Sequence, residues 1–172
     1  MKKKALAFLL ALALCAGLAP LSLGAAALPA MDVVFLVDTS GSMGYEIVSE
    51  EGWAIANPLL SATDALRYYV RELTASGLAA FRFALIDYRD YPESTTWEED
   101  YAFRVALDFT ADTQAVEEAL AGLSTGYGGD YEEAVCSALT EGLSALSWRT
   151  DAGKAGILIG DAPALDPEIT TG

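Results

Sequence analysis

Asp38, Ser40 and Ser42 alternate at the end of the segment VVFLVDTSGS, residues 33–42. Thr39, Ser40, Gly41, Ser42 and Gly44 are small hydroxyl residues and glycines, which bend a chain and expose its backbone amides. One carboxylate and two hydroxyls therefore share a single tight turn. All the donors are oxygens, with no nitrogen or sulfur, and this is the chemistry that hard cations such as Mg²⁺ prefer. The same serines could be nucleophiles, but the chain has no histidine. That removes the usual general base and most zinc chemistry. An aspartyl phosphatase would want a second Asp two residues after the first, where this chain has Ser40. The residues point to binding, not to an enzyme.

The elements that must position this turn follow from the patterning. Five apolar residues, Val33 to Val37, run directly into Asp38, as in a strand buried on both faces that delivers a polar group at its C-terminal end. Tyr45–Ala56 has no clear period and reads as an inserted loop. From Pro58, apolar residues from Leu59 to Leu73 recur at three- and four-residue steps, which predicts an amphipathic helix capped by Ser61 or Thr63 and ended by Gly77. Phe81–Ile86 predicts a second buried strand, followed by Asp87, Arg89 and Asp90 as support for the site or a loop ion pair. Tyr101–Phe109 predicts an edge strand antiparallel to it. Thr113–Leu123 reads as a helix capped by Asp112 or Thr110, Ser124–Gly129 as a turn, and Asp130–Leu146 as a further helix. Glu132 and Glu133 fall at its start, where negative charge is favourable, and read as capping residues. Gly156–Gly160 predicts a short buried strand that delivers Asp161. This order predicts an α/β, doubly wound (Rossmann-like), mostly parallel sheet with one antiparallel edge strand and helices on both faces. In such sheets ligands bind beyond the carboxyl ends of the parallel strands, where Asp38 and Asp161 both fall.

The 172 residues suit one domain, and 53% of them are apolar. Part of that figure belongs to a leader: Lys2, Lys3 and Lys4 precede an apolar run, Ala5–Gly17, and a small-residue stretch, Gly24–Ala27. This predicts a signal peptide over residues 1–27, with Ala30 as the alternative end and an uncleaved N-terminal anchor as the competing reading. The expected location is secreted or cell surface. Beyond the leader, seven basic residues face 25 acidic ones, a formal net charge of −18. Such a surface repels nucleic acid and anionic lipid, so neither is an expected partner. Cys136 is then the single remaining cysteine, which leaves no intramolecular disulfide; its apolar helical setting reads as core.

VDTSGSM at 37–43, GGDYEEA at 128–134 and ILIGDAPAL at 157–165 together resemble a von Willebrand factor type A (vWA) domain of hemicentin-like, bacterial secreted type. The resemblance covers residues 32–172. It implies a metal-ion-dependent adhesion site (MIDAS) in which Ser40 and Ser42 bind a divalent cation directly. Asp38 would bind directly or through water, and Asp161 through water. Asp130 stands where many members have Thr, and Thr125 is a poor substitute because it precedes the glycines. Mg²⁺ is the expected ion, with Mn²⁺ or Ca²⁺ as alternatives. Three carboxylates within ~4 Å of one another would repel by about 4 kcal/mol per pair at an effective dielectric near 20, which a cation relieves. Tyr45, Tyr127, Tyr131 and Trp53 are candidates for the rim. The implied partner is a protein or extracellular-matrix ligand that offers an oxygen group, possible donors including an acidic side chain. The alternative is a metal-stabilised structural domain of a longer surface protein. Family members continue past the DAPAL segment through further strands and helices, so the chain reads as C-terminally incomplete and is expected to be marginally stable alone.

Overall fold

The computed structural model describes residues 27–48, 54–91, 100–126, 129 and 131–165. Four strands form the main sheet: β1 (Ala30–Asp38), β4 (Ala80–Tyr88), β5 (Phe103–Thr110) and β6 (Gly153–Ile159). Their spatial order is β5-β4-β1-β6. β4 and β6 both run parallel to β1, and β5 pairs antiparallel with β4. The mostly parallel sheet with an antiparallel edge agrees with the sequence reading. β1 lies at the centre because Val33 to Val37 are apolar on both faces, and each of them is buried.

Two apolar clusters cover the two faces of the sheet. Val33, Phe35 and Val37 of β1, with Phe83 and Leu85 of β4, pack against Leu59, Leu66 and Val70 of helix α1 (Pro58–Ser76) and Val116 and Leu120 of helix α2 (Thr113–Ala121). Val34, Leu36, Ala84 and Ile86 point the other way, against Val135, Ala138 and Leu146. Helix α3 (Val135–Ser137), which continues into a wider turn over Ala138–Gly142, supplies part of that second cover. Helices therefore flank both faces, as in a doubly wound fold.

Four local expectations need correction. Gly156–Gly160 is not a buried strand: β6 starts at Gly153, and as an edge of the described sheet it leaves Lys154, Gly156 and Leu158 exposed. α1 is capped not by Ser61 or Thr63 but by Asn57, whose Oδ1 accepts from the Leu60 N–H at 3.0 Å, with Pro58 as the first helical residue. Proline at that position has no N–H to leave unmet and is already set to a helical φ. Asp112 does cap α2, and Gly77 does end α1 at φ 64°. The insertion after the DTSGS turn is not all loop: β2 (Ile47–Val48) and β3 (Ala54–Ala56) pair antiparallel. The third helix starts at Val135, not at Asp130, because Glu133 and Ala134 spend their backbone groups on other loops. Among the described residues no helix is long and apolar enough to cross a membrane.

Candidate metal centre

Parallel pairing puts the C-terminal ends of β1, β4 and β6 side by side, with Val37 opposite both Asp87 and Ile159. The loops that leave these strands are tied to one another through backbone groups. Thr39 N–H donates to the Tyr88 carbonyl at 3.0 Å, and Gly126 N–H to the Thr39 carbonyl at 3.1 Å. Glu133 N–H donates to Pro163 O at 2.9 Å, while Leu165 N–H returns to Glu133 O at 3.0 Å. Ala134 N–H donates to Arg89 O at 2.7 Å. Met43, in the short turn Gly41–Gly44, is buried in the core as a peg under the DTSGS loop. The Asn57 amide holds the far end of that turn by donating to Gly44 O at 3.0 Å.

On this frame Asp38, Ser40, Ser42 and Asp161 meet. Ser40 N–H donates to Asp38 Oδ1 at 2.8 Å. The Ser40 and Ser42 hydroxyl oxygens lie 3.1 Å apart, and Ser42 Oγ donates to Asp161 Oδ1 at 2.8 Å. Asp38 is fully buried, and among the described residues its Oδ2 has no hydrogen-bond partner. The Asp161 N–H faces that carboxylate without closing a bond to Oδ2. Burial raises the Asp38 pKa above its ordinary value; hydrogen bonds from Ser40 work against this, and the charge of Asp161 adds to it. Gly160 is needed here for space. A Cβ on it would sit 3.0 Å from Asp38 Oδ2 and drive into the Tyr88 hydroxyl. Asp130, Tyr127 and Trp53 lie outside the described residues. Tyr45 and Tyr131 are described, and both are exposed on loops.

One participant escapes the sequence reading. Glu133 is not a helix cap: it precedes the helix and is 2% exposed. Among the described residues its Oε2 has no hydrogen-bond partner. Burial, then the Asp38 charge, pushes its pKa up to about 8, with Asp90 and Asp100 adding to the effect and Ser40 opposing it. Nothing in Glu132-Glu133 marks which acid turns inward, because loop residues carry no periodicity. Arg89 fills the supporting role that its place after the second strand predicts. Its Nε donates to Thr39 Oγ1 at 3.2 Å and its guanidinium to Ser124 O at 2.9 Å, so one buried side chain clamps two loops. Behind it, Arg104 forks onto Asp87 at 3.1 and 2.8 Å, and the Tyr101 hydroxyl donates to the same carboxylate. Arg89 and Arg104 lie over the Tyr101 ring, 4.7 and 4.9 Å from its centroid. Asp87 and Arg89 thus support the site's frame. Asp90 is buried and accepts from the Tyr91 N–H.

The donor set fits a hard cation. It offers two carboxylates and two hydroxyls at one sheet end, with an orphaned and fully buried carboxylate oxygen among them. Among the described residues no group of three or more His, Cys, Asp or Glu side chains gathers into a metal cluster. The hydroxyls would therefore supply two of the four donor groups.

Strand order, flanking helices and the position of this oxygen-rich sheet end define a vWA-like fold. Among solved structures the chain is similar to the vWF domain of the type V pili tip protein Mfa5 from Porphyromonas gingivalis. The two are 25% identical with a TM-score of 0.57, over 81% of this chain and 40% of that one. It shares its fold with the PilB minor pilin from Streptococcus sanguinis (12% identity, TM-score 0.56, 79% of this chain and 30% of that chain). The pilus adhesin SpaC from Lactobacillus rhamnosus GG matches at 20% identity and TM-score 0.54, over 79% of this chain and 16% of that chain. The chain thus spans less than half the length of each. No protein-family model and no curated protein matches it.

Proposed function

We propose that this chain is a secreted or surface-exposed vWA-type binding module of bacterial type that holds a divalent cation and uses it to grip an oxygen group on a protein or matrix partner. The observation that carries this reading is the convergence of Asp38, Ser40, Ser42 and Asp161 around a carboxylate oxygen that no protein donor satisfies. Ser40 and Ser42 would ligate the ion directly, Asp38 directly or through water, and Asp161 through water; Asp130 is the further candidate. Mg²⁺ suits a site with few carboxylates, since it retains waters that a partner's oxygen can displace, with Mn²⁺ or Ca²⁺ as alternatives. When bound, the ion supplies a positive centre for an acidic or carbonyl oxygen. The surface role is supported by the likeness to a pilus tip protein's domain and by folds shared with a minor pilin and a pilus adhesin. The hydroxyls then serve as ligands and not as nucleophiles.

Titration calorimetry of the full chain with Mg²⁺, Mn²⁺ and Ca²⁺, repeated on Asp38→Ala, tests this. Saturable heat is expected for the parent chain and none for the variant. Equal heats from the two would refute the assignment.

A further inference from the structure

We propose that Tyr88 is a positioning residue of the cation site: it reaches from β4 over the end of β1 and tethers the Ile159 carbonyl of β6, which fixes where Asp161 is presented. The inference rests on the cation-binding reading above and adds a residue to it. Its basis is the register of the sheet. Tyr88 stands opposite Asp38, the last pair between β4 and β1, and Ile159 stands opposite Val37, the last pair between β6 and β1. The next residue, Gly160, therefore continues a row that runs Tyr88, Asp38, Gly160 across three strands. Two strand spacings, about 10 Å, separate the ends of that row. The phenol bridges them, and its hydroxyl donates to Ile159 O at 3.4 Å. A Cβ on Gly160 would fall on this hydroxyl and lie 3.0 Å from both Asp38 Cβ and Asp38 Oδ2. The glycine leaves a seat, and the Tyr88 hydroxyl fills it.

β6 is the strand that most needs such a tether. It is an edge of the described sheet, and none of its residues is fully buried, whereas the C-terminal ends of β1 and β4 are. Asp161 follows two residues after the tethered carbonyl, and its Oδ1 accepts the Ser42 hydroxyl proton at 2.8 Å. Its direction depends on where the end of β6 sits. Tyr88 is 1% exposed and packs in the apolar cluster of Val34, Leu36, Ala84 and Ile86, so the ring is a fixed arm. A phenylalanine would fill that cluster as well, and a buried hydroxyl costs free energy unless it is bonded. The hydroxyl is what the tether accounts for. Its bond is longer than the usual 2.7–2.8 Å between two oxygens, which leaves slack for Asp161 to take up when it orders around an ion.

The test is calorimetry with Mg²⁺ and Mn²⁺ alone on the full chain, on Tyr88→Phe and on the packing control Ile86→Val. Circular dichroism during thermal unfolding in EDTA follows the stability of each. Tyr88→Phe keeps the ring and deletes only the hydroxyl. It is expected to remain folded in EDTA and to lose about tenfold in affinity, the low end for outer partners of metal ligands. Ile86→Val loosens the same cluster, so it is expected to melt earlier in EDTA yet bind as the parent chain does. In an Asp161→Asn background the loss from Tyr88→Phe should shrink, because the two residues act through one point. Parent-like affinity in folded Tyr88→Phe, an equal loss in Ile86→Val, or an undiminished loss beside Asp161→Asn would overturn the role of Tyr88 and leave the cation site standing. If Tyr88→Phe fails to fold, the parent chain decides: Mg²⁺ is expected to shift the carbon resonance of the Ile159 carbonyl, and an unmoved resonance would overturn the tether. Absence of cation binding by the parent chain would overturn both the tether and the reading beneath it.

Discussion

Replacing Asp38 with Asn should raise the stability of the metal-free protein and lower that of the metal-loaded one. Asp38 is fully buried; Ser40 N–H donates to its Oδ1, and among the described residues nothing donates to Oδ2. Either its charge stays in the interior or it takes up a proton against the bulk pH, and both cost free energy. An unsatisfied buried group of this kind costs about 1–3 kcal/mol, more when charged. Asn keeps the bond to Ser40 and removes the charge and its repulsion with Asp161, but buries an amide NH₂ at a cost of about 1 kcal/mol. The net gain in EDTA is about 1 kcal/mol, or roughly 3–5 °C in Tm for a domain of this size. With cation at about 100 times its Kd, the parent chain gains about 2.7 kcal/mol and the variant gains nothing, so the order reverses. Thermal unfolding of the full chain, followed by circular dichroism in EDTA and then in excess Mg²⁺, reads both halves. If Asp38→Asn melts below the parent by the same margin in the two buffers, Asp38 is a turn residue and the reasoning fails.

Two further perturbations separate frame from site. At the opposite end of β1, buried Asp32 accepts from Arg82 at 3.0 and 2.9 Å and from Arg149 at 2.8 and 2.9 Å. Burial alone would raise its pKa, but these bonds together hold it at about 2 against an ordinary 3.8. A depressed carboxylate stabilises the fold above its unfolded pKa, and that stability is lost as pH falls through the folded value. Asp32→Asn should therefore cost about 1–2 kcal/mol near neutrality, after discounting for solvent around the two arginines, and the gap should close between about pH 4 and pH 2. Urea titrations across that range check it, and cation affinity should not change. Arg89→Met removes the clamp between Thr39 and Ser124. It should cost about 3 kcal/mol by urea unfolding and about tenfold in Mg²⁺ affinity by calorimetry, whereas unchanged affinity would show that the loops hold each other without it.

What could be read in advance divides by the kind of signal. β1 is a continuous apolar run that ends in a polar residue, and β4 and β6 carry shorter ones, Phe83–Ile86 and Gly156–Ile159, ahead of Asp87 and Asp161; that pattern places their loops at one end of a parallel sheet. The antiparallel edge was also legible, from the looser alternation of Tyr101–Phe109 after the second buried strand. Asn57 lies outside the apolar periodicity that marks α1, and its capping role shows only once Pro58 is taken as the first helical residue. Asp130 to Glu133 have the composition of an acidic first turn, which hides the true start of the helix around Ser137. In fact Glu133 and Ala134 give their backbone groups to Pro163, Leu165 and Arg89. Loop-to-loop bonds of that sort join residues more than 25 positions apart, and no local pattern encodes them.

The frame and the site differ in how well their polar groups are matched. On the frame side, Thr39, Arg89, Asp87 and Arg104 pair donors with acceptors, and the backbone links run directly between loops. On the site side, Asp38 Oδ2 and Glu133 Oε2 are both acceptors, both buried and both without a donor. A folding error would leave donors and acceptors unmet at random, since buried groups of either kind are costly. Unmet acceptors in the loop cluster that also holds two serine hydroxyls are what the proposed cation site would require. A water molecule could supply two donor protons there, but it would not offset two carboxylates that repel each other in the interior. Under the proposed function, a divalent cation would meet both demands at once at a spot that is unfavourable when left to itself.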